Sequence, residues 1–249
     1  MQRIVILGGG FAGLWSAVGA ARALAEHSVP TGSIEVLLID RRAVHSIRVR
    51  NYERDLAPTL VPFSQVLDPV GVRHLVAEVT ELDLNRRTVV CSGPDGRQTI
   101  AYDRLVLALG SRLVRPPIPG FDGAAFDVDT CEGAARLEIH LASLPDRPPS
   151  PGRETVLVIG AGLTGIEVAT ELPDRLGPKW GERMPAPRVI LADRQPWIGS
   201  DMGEGARSVI ATALAAIGIE TRAGISVASV DPAGATLDTG ERIPAETIV

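Results

Sequence analysis

The 249-residue chain can bury one large core or two moderate ones, because domains commonly run to about 100–150 residues. A formal charge of −5 excludes a basic footprint for nucleic acid or an anionic membrane, and no apolar run approaches the roughly 18 residues of a transmembrane segment. With 45% apolar and 22% charged residues the composition is that of an ordinary soluble protein, so a cytoplasmic chain is expected.

The first predicted element is a strand. Ile4-Val5-Ile6-Leu7 is a short apolar run rich in Ile and Val, as buried parallel strands are, and Gly8, Gly10 and Gly13 follow in GxGxxG spacing. In such a loop the first glycine makes the tight turn, the second lets backbone approach a pyrophosphate, and the third lets the next helix pack on the strand. The phosphates would sit over the helix N-terminus, where free N–H groups and the helix dipole favour anions. A helix is predicted over residues 11–26, with Phe11, Leu14, Trp15, Val18 and Leu24 on its apolar face and Ala12, Ala17, Ala20 and Ala21 allowing close packing. A competing reading, a secretory leader with Arg3 ahead of the apolar segment and Ala21-Arg22-Ala23 as its cleavage pattern, leaves the three glycines without a purpose.

A second strand, Ile34 to Ile39, ends on Asp40, the acid expected to bind a ribose hydroxyl. Polar residues 27–33 lengthen the preceding connection, so Asp40 comes later than the usual spacing of about 20 residues. Arg41 and Arg42 follow, and either could pair with a phosphate or the adenosine end of a cofactor. Residues 43–71 read as loops and short helices that could line a substrate or acceptor cleft. His45 is the histidine nearest the nucleotide segment, and a structural or solvent role is expected for it.

From His74 the pattern turns to β. Leu75 to Leu84 alternates, Arg87 to Cys91 follows, and Gly93-Pro94-Asp95-Gly96 turns into Gln98 to Tyr102, a small antiparallel meander. Tyr102 to Ser111 contains a buried strand ending on Gly110, and Pro116 to Gly120 is a stiff connection with the look of a domain crossing. A helix is predicted from Glu132 to Leu144 and a loop from Pro145 to Gly152. The two cysteines, Cys91 and Cys131, form no CxxC pair, so neither a redox dithiol nor a zinc site is expected, and no metal site is predicted.

The opening device then recurs. Thr155 to Ile159 is a strand, Gly160, Gly162 and Gly165 repeat the GxGxxG spacing, and a helix covers Ile166 to Leu172. An insertion over residues 173–187 precedes the strand Arg188 to Ala192, which ends on the acid Asp193. A helix from Ala206 to Ile217, a strand from Ile219 to Arg222 and short strands around Ile225–Val230, Ala235–Leu237 and Ile243 follow. Two strand–GxGxxG–helix–strand–acid units are far more specific than one. They predict an α/β fold with two Rossmann-like βαβ nucleotide-binding domains and a small antiparallel meander, and two bound nucleotides suggest electrons passing between them.

These residues resemble the two-dinucleotide-binding-domain flavoproteins, the pyridine nucleotide–flavin oxidoreductases, and within them the type II NADH dehydrogenase-like proteins. Gly8 to Leu14, Ile39 to Arg42, Tyr102 to Ser111 with Ile118-Pro119-Gly120, and Gly160 to Glu167 carry the likeness, over nearly the whole chain. The resemblance implies an FAD-binding domain over residues 1–115 and an NAD(P)H-binding domain over 116–249. Gly8, Gly10, Phe11, Ala12 and Gly13 would contact the FAD pyrophosphate, Asp40 its adenosine ribose, the Val79 backbone the adenine, and Gly110 would close the site, with Arg41 a further candidate beside it for a phosphate or the adenosine end. Gly160, Gly162, Leu163, Thr164 and Gly165 would line the NAD(P)H pyrophosphate path, with Asp193 favouring NADH over NADPH because a carboxylate repels a 2′-phosphate. Glu167 matches the family's acid near the nicotinamide–flavin stack and is the candidate catalytic residue, against the plainer role of a charged residue in a first helical turn.

Three departures qualify the likeness. Val44 to Arg50 replaces the Pro-Leu-Leu-Tyr-like stretch of respiratory type II dehydrogenases, which puts the quinone acceptor in question, and the redox cysteine pair of the disulfide reductases is absent. The chain also stops at Thr247-Ile248-Val249, where the family continues into a further Gly-Asp flavin segment and an interface domain. A truncated chain whose FAD site lacks one wall is therefore expected. The implied function is an FAD-dependent NAD(P)H oxidoreductase passing hydride to flavin and electrons on to a quinone-like or other small acceptor. A catalytically incomplete nucleotide-binding fragment, a ferredoxin-reductase-like carrier and a monooxygenase-like flavoprotein stay open. So do a homodimer and a peripheral membrane position for the full-length form.

Overall fold

The computed structural model, which describes residues 1–180 and 184–249, divides into two units, Met1–Ile47 with Ala57–Arg112 and Arg48–Leu56 with Leu113–Val249. The first unit contains β1 (Gln2–Leu7), α1 (Phe11–Glu26), β2 (Ile34–Asp40), β3 (Val44–Ser46), β4 (Leu60–Pro62), α2 (Phe63–Leu67), β5 (Arg73–Val76), β6 (Glu78–Asp83), β7 (Thr88–Gly93), β8 (Gly96–Ala101) and β9 (Arg104–Leu107). Four of these strands make a parallel sheet in the order β5-β2-β1-β9, and β6-β7-β8 form an antiparallel meander.

Period-2 alternation explains why the strands are apolar throughout. Val5, Leu7, Leu37 and Ile39 face a core shared with Val89, Cys91 and Ile100 of the meander. Ile6, Val36 and Leu38 face the opposite core, with Ala17 of α1 and Phe63 and Leu67 of α2. Each such Leu or Ile taken fully out of water contributes roughly 1.5–3 kcal/mol.

The second unit repeats this plan. It holds α3 (Phe121–Ala124), α4 (Cys131–Ser143), β10 (Thr155–Ile159), α5 (Leu163–Trp180), β11 (Arg188–Asp193), α6 (Glu204–Ala216), β12 (Glu220–Ala223), β13 (Val227–Asp231), β14 (Gly234–Leu237), β15 (Arg242–Pro244) and β16 (Thr247–Ile248). Its parallel sheet has the order β12-β11-β10-β16, and β13-β14-β15 are its antiparallel meander. In both sheets the first strand is central, the second and third lie to one side, and the strand after the meander lies on the other. The same alternation recurs: Val156, Val158, Val189 and Leu191 face the helices, while Leu157, Ile190 and Ala192 face Val230, Ala235 and Leu237 of the meander.

Four expectations are corrected. The buried strand expected to end on Gly110 stops at Leu107 on an edge of its sheet, where its side chains lack a covering neighbour, and Leu107 and Leu109 are exposed. The alternating run Leu75 to Leu84 is not one meander strand: Arg73–Val76 joins the parallel sheet beside β2, and only Glu78–Asp83 belongs to the meander. Residues 43–71 are more ordered than expected, because β3 and β4 pair antiparallel and Phe63 and Leu67 of α2 fill the core beneath α1. The dinucleotide helix of the second unit does not stop at Leu172 but runs through Pro173 to Trp180. An interior proline costs a helix about 3 kcal/mol, and the buried stripe Val168, Leu172, Leu176 and Trp180, spaced four apart, outweighs it. Residues 181–183 of the expected insertion lie outside the described residues. Among the described residues no helix is long and apolar enough to cross a membrane.

Candidate functional site

The two glycine loops share the same first turn and the same acid-to-loop hydrogen bonds. At the end of β1, Gly8 turns at φ +95° and its N–H donates to the Ile39 carbonyl at 2.8 Å; at the end of β10, Gly160 turns at φ +104° and donates to the Ala192 carbonyl at 2.8 Å. Both turns lie in the region that favours glycine. A Cβ on Gly13 would meet the Gly8 carbonyl oxygen at 1.7 Å, and one on Gly165 would meet that of Gly160 at 1.8 Å. The third glycine of each motif thus lets its helix start against its own strand. Around the middle glycines, Gly10 and Gly162, nothing lies within 4 Å of a built Cβ. Gly10 also begins α1 without any side-chain cap, so the first N–H groups of that helix have no intrahelical partner.

The acids at the strand ends hold the loops. Asp40 accepts the Gly9 N–H on Oδ2 at 2.6 Å and the Arg42 N–H on Oδ1 at 2.8 Å. Asp193 accepts the Ala161 N–H on Oδ2 and the Gln195 N–H on Oδ1, the latter at 2.7 Å. A carboxylate offers about four lone-pair sites, so both acids keep acceptor capacity for a ribose hydroxyl.

The other expected contacts are distributed around these loops. Phe11 is 45% exposed at the start of α1, with Ala12 exposed beside it, and Arg41 is exposed after Asp40. Val79 pairs with Cys91 just before an irregularity in the β6–β7 ladder and packs its side chain on the meander core. The chain leaving β9 runs against the first turn: Ala108 donates to the Leu7 carbonyl at 2.9 Å, and its own carbonyl oxygen stands 2.4 Å from a Cβ built on Gly8. Gly110, two residues on, is exposed.

In the second unit, Leu163, Thr164 and Glu167 on the first turn of α5 line a cleft of about 370 Å³ with Arg48, Val49, Tyr52, Val128 and Asp129. Burial raises the Glu167 carboxyl above its usual value, and burial together with the Glu167 charge raises the Tyr52 phenol. The far wall is fixed by polar contacts. Arg48 Nε donates to Asp129 Oδ1 at 3.1 Å, and Arg175, with only 3% of its side chain exposed, donates to the Tyr52 carbonyl and to Glu138 Oε2, each at 2.8 Å. Arg48 and Tyr52 come from the segment expected to line a cleft, whereas Val128 and Asp129, and the pairing of all four with α5, were missed because they come from segments more than 30 residues from α5. The signal that could have found them is Arg175, a charged residue set between Leu172 and Leu176 on the apolar stripe of α5. Both cysteines are free, and burial raises the Cys91 thiol, which makes it a poor nucleophile.

Comparison with known proteins gives concordant results. The family profile described as pyridine nucleotide-disulphide oxidoreductase matches residues 2–249. An NADH dehydrogenase-like protein of Mycobacterium tuberculosis is 50% identical over 251 residues, covering 100% of this chain and 62% of the relative. A demethylphylloquinone reductase of Synechocystis is 30% identical over 259 residues, covering 99% of this chain and 60% of the relative. The solved structure of NDH2 from Plasmodium falciparum in complex with NADH superposes with a TM-score of 0.82 at 15% identity, covering 99% of this chain and 54% of that one, a likeness of fold. The chain thus spans about 60% of the length of the curated relatives it matches.

Proposed function

The chain belongs to the pyridine nucleotide-disulphide oxidoreductase family, and from that premise we propose that its first unit binds FAD, its second binds NADH, and the protein is an NADH oxidoreductase serving a quinone-like acceptor. The observation that carries this reading is the duplicated glycine loop, with the same turn, the same acid-to-loop bonds and the same open space at Gly10 and Gly162. An uncapped helix start facing open space, with a carboxylate at the neighbouring strand end, fits a pyrophosphate and a ribose. The Mycobacterium relative is named for NADH dehydrogenase, the Synechocystis relative for a quinone, and the Plasmodium structure holds NADH; these names support the choice of donor and acceptor.

In this reading the backbone of Gly8, Gly10, Phe11, Ala12 and Gly13 holds the flavin pyrophosphate, and Asp40 and Arg41 meet its adenosine side. Val79 and Gly110 flank that site through their backbone. Gly160, Gly162, Leu163, Thr164 and Gly165 hold the second pyrophosphate, and the Asp193 carboxylate accepts a ribose 2′-hydroxyl, which favours NADH. Glu167 and Tyr52 offer a half-buried carboxyl and phenol to the reactive end of the nucleotide in their cleft. When both nucleotides are bound, they supply hydride transfer from nicotinamide C4 to flavin N5, and the chain supplies orientation and charge.

The visible absorption spectrum of the purified chain tests this reading. Flavin bands that bleach on adding NADH are expected. A folded, colourless preparation that takes up no added FAD would contradict it, and such a preparation that still binds NADH would mark a nucleotide-binding module instead.

A further inference from the structure

Beneath the first glycine loop runs a ladder of rings. Phe11 and His45 meet edge to face with centroids 4.8 Å apart, His45 and Phe63 lie at 6.4 Å, and Phe63 and His74 at 4.6 Å. His45 is 4% exposed, and its Nδ1 lies 2.8 Å from the Gly9 carbonyl oxygen. A carbonyl only accepts, so Nδ1 carries the proton and donates. The Gly9 N–H is meanwhile held by Asp40 at 2.6 Å, so side chains from two separate strands fix both backbone groups of this one residue. Phe63 Cζ occupies the place of any Cβ on Gly9, at 2.1 Å.

The peptide group joining Gly9 to Gly10 is planar and trans, so its C=O and N–H point in opposite directions. Drawing the Gly9 oxygen towards His45 therefore turns the Gly10 N–H away from the ring ladder. The second unit gives an independent parallel. There the matching carbonyl, that of Ala161, is held by the backbone N–H of Gly199 at 3.0 Å. The same oxygen is tied down in both loops, once by a histidine and once by main chain.

We propose that His45 is a positioning residue for dinucleotide binding in the first unit, holding the Gly9 carbonyl so that the Gly10 N–H is presented to a pyrophosphate. This rests on the reading that the first loop holds FAD. The test compares FAD dissociation constants, from flavin fluorescence quenching, for the unaltered chain, His45→Phe and His45→Asn. Phenylalanine keeps a ring and removes the donor, whereas the asparagine Nδ2 stands as many bonds from the backbone as the histidine Nδ1. His45→Phe is expected to weaken FAD binding roughly three- to tenfold, the worth of one hydrogen bond, and His45→Asn to stay within about twofold of the unaltered chain. Equal affinity for His45→Phe and the unaltered chain, or equal weakness of both variants, would overturn the proposal. Amide hydrogen exchange at Gly9, whose N–H is held by Asp40, gives a second readout without nucleotide, expected to be faster in His45→Phe alone; an unchanged rate would overturn it. Failure of the unaltered chain to bind FAD would refute the FAD reading and leave this exchange comparison to decide the role of His45. Should His45→Phe not fold, His45→Leu provides the donor-free variant for both measurements.

Discussion

A methyl group on Gly13 or Gly165 would sit 1.7 or 1.8 Å from the carbonyl oxygen of the first glycine in its own motif, a rigid backbone atom. Gly13→Ala and Gly165→Ala are therefore expected to cost about 1–3 kcal/mol of stability each, with or without nucleotide, as measured by urea unfolding. Glu167 behaves differently. Burial raises its folded pKa above the unfolded one, so it lowers stability above the folded pKa, and this cost vanishes as the pH falls below the unfolded value. Glu167→Gln is expected to raise the melting temperature at pH 8 and to match the unaltered chain near pH 4; a drop at pH 8 would show that the charge itself is stabilising. The glycines and acids were legible in the sequence because each acts within a few residues of its strand end. A structural role for His45 and a cleft-lining one for the segment of Tyr52 were expected as well, but not their partners, Gly9 and Arg175, which lie 36 and 123 positions away.

At the scale of elements, α5 shows how packing overrides local propensity. A proline at position 173 reads as a stop, yet the stripe from Val168 to Trp180 buries against the second sheet and carries the helix past it. The same helix anchors residues 48–56 through Arg175, whose partners are the Tyr52 carbonyl and Glu138. Arg175→Ala is expected to accelerate proteolysis and amide exchange across residues 48–56 and to destabilise the chain by about 2–4 kcal/mol. Unchanged exchange there would refute the anchoring role. A second link joins α4 to β16: His140 Nε2 donates to Thr247 Oγ1 at 2.9 Å, while Arg147 Nη2 donates to His140 Nδ1 at 3.2 Å. Burial and the Arg147 charge lower the His140 pKa to about 4, so the ring folds neutral. Its contribution is full above the unfolded pKa near 6.5 and is lost as the pH falls from there towards 4. Allowing for its partial exposure, a loss on the order of 1 kcal/mol by pH 5 is expected, and His140→Gln should flatten that part of the stability profile.

For the whole molecule, the two units share one topology, a central first strand with a glycine loop at its end and a meander inserted before the last strand. This much was legible because a buried parallel strand, a glycine turn and a terminal acid are contiguous in sequence. The split of Leu75–Leu84 between two sheets and the grouping of Arg48–Leu56 with the second unit depend on pairing partners that a local pattern does not reveal. The central claim is that each unit carries its own dinucleotide loop, FAD in the first and NADH in the second. Titration of FAD and NADH into the unaltered chain, Gly10→Ala and Gly162→Ala tests it most directly, because a methyl at either position meets nothing in the protein and enters only the space assigned to phosphate. All three proteins should melt at the same temperature, Gly10→Ala should lose FAD while keeping NADH, and Gly162→Ala should do the reverse. Unaltered affinities in both variants, or loss of both nucleotides in either, would contradict the two-site assignment.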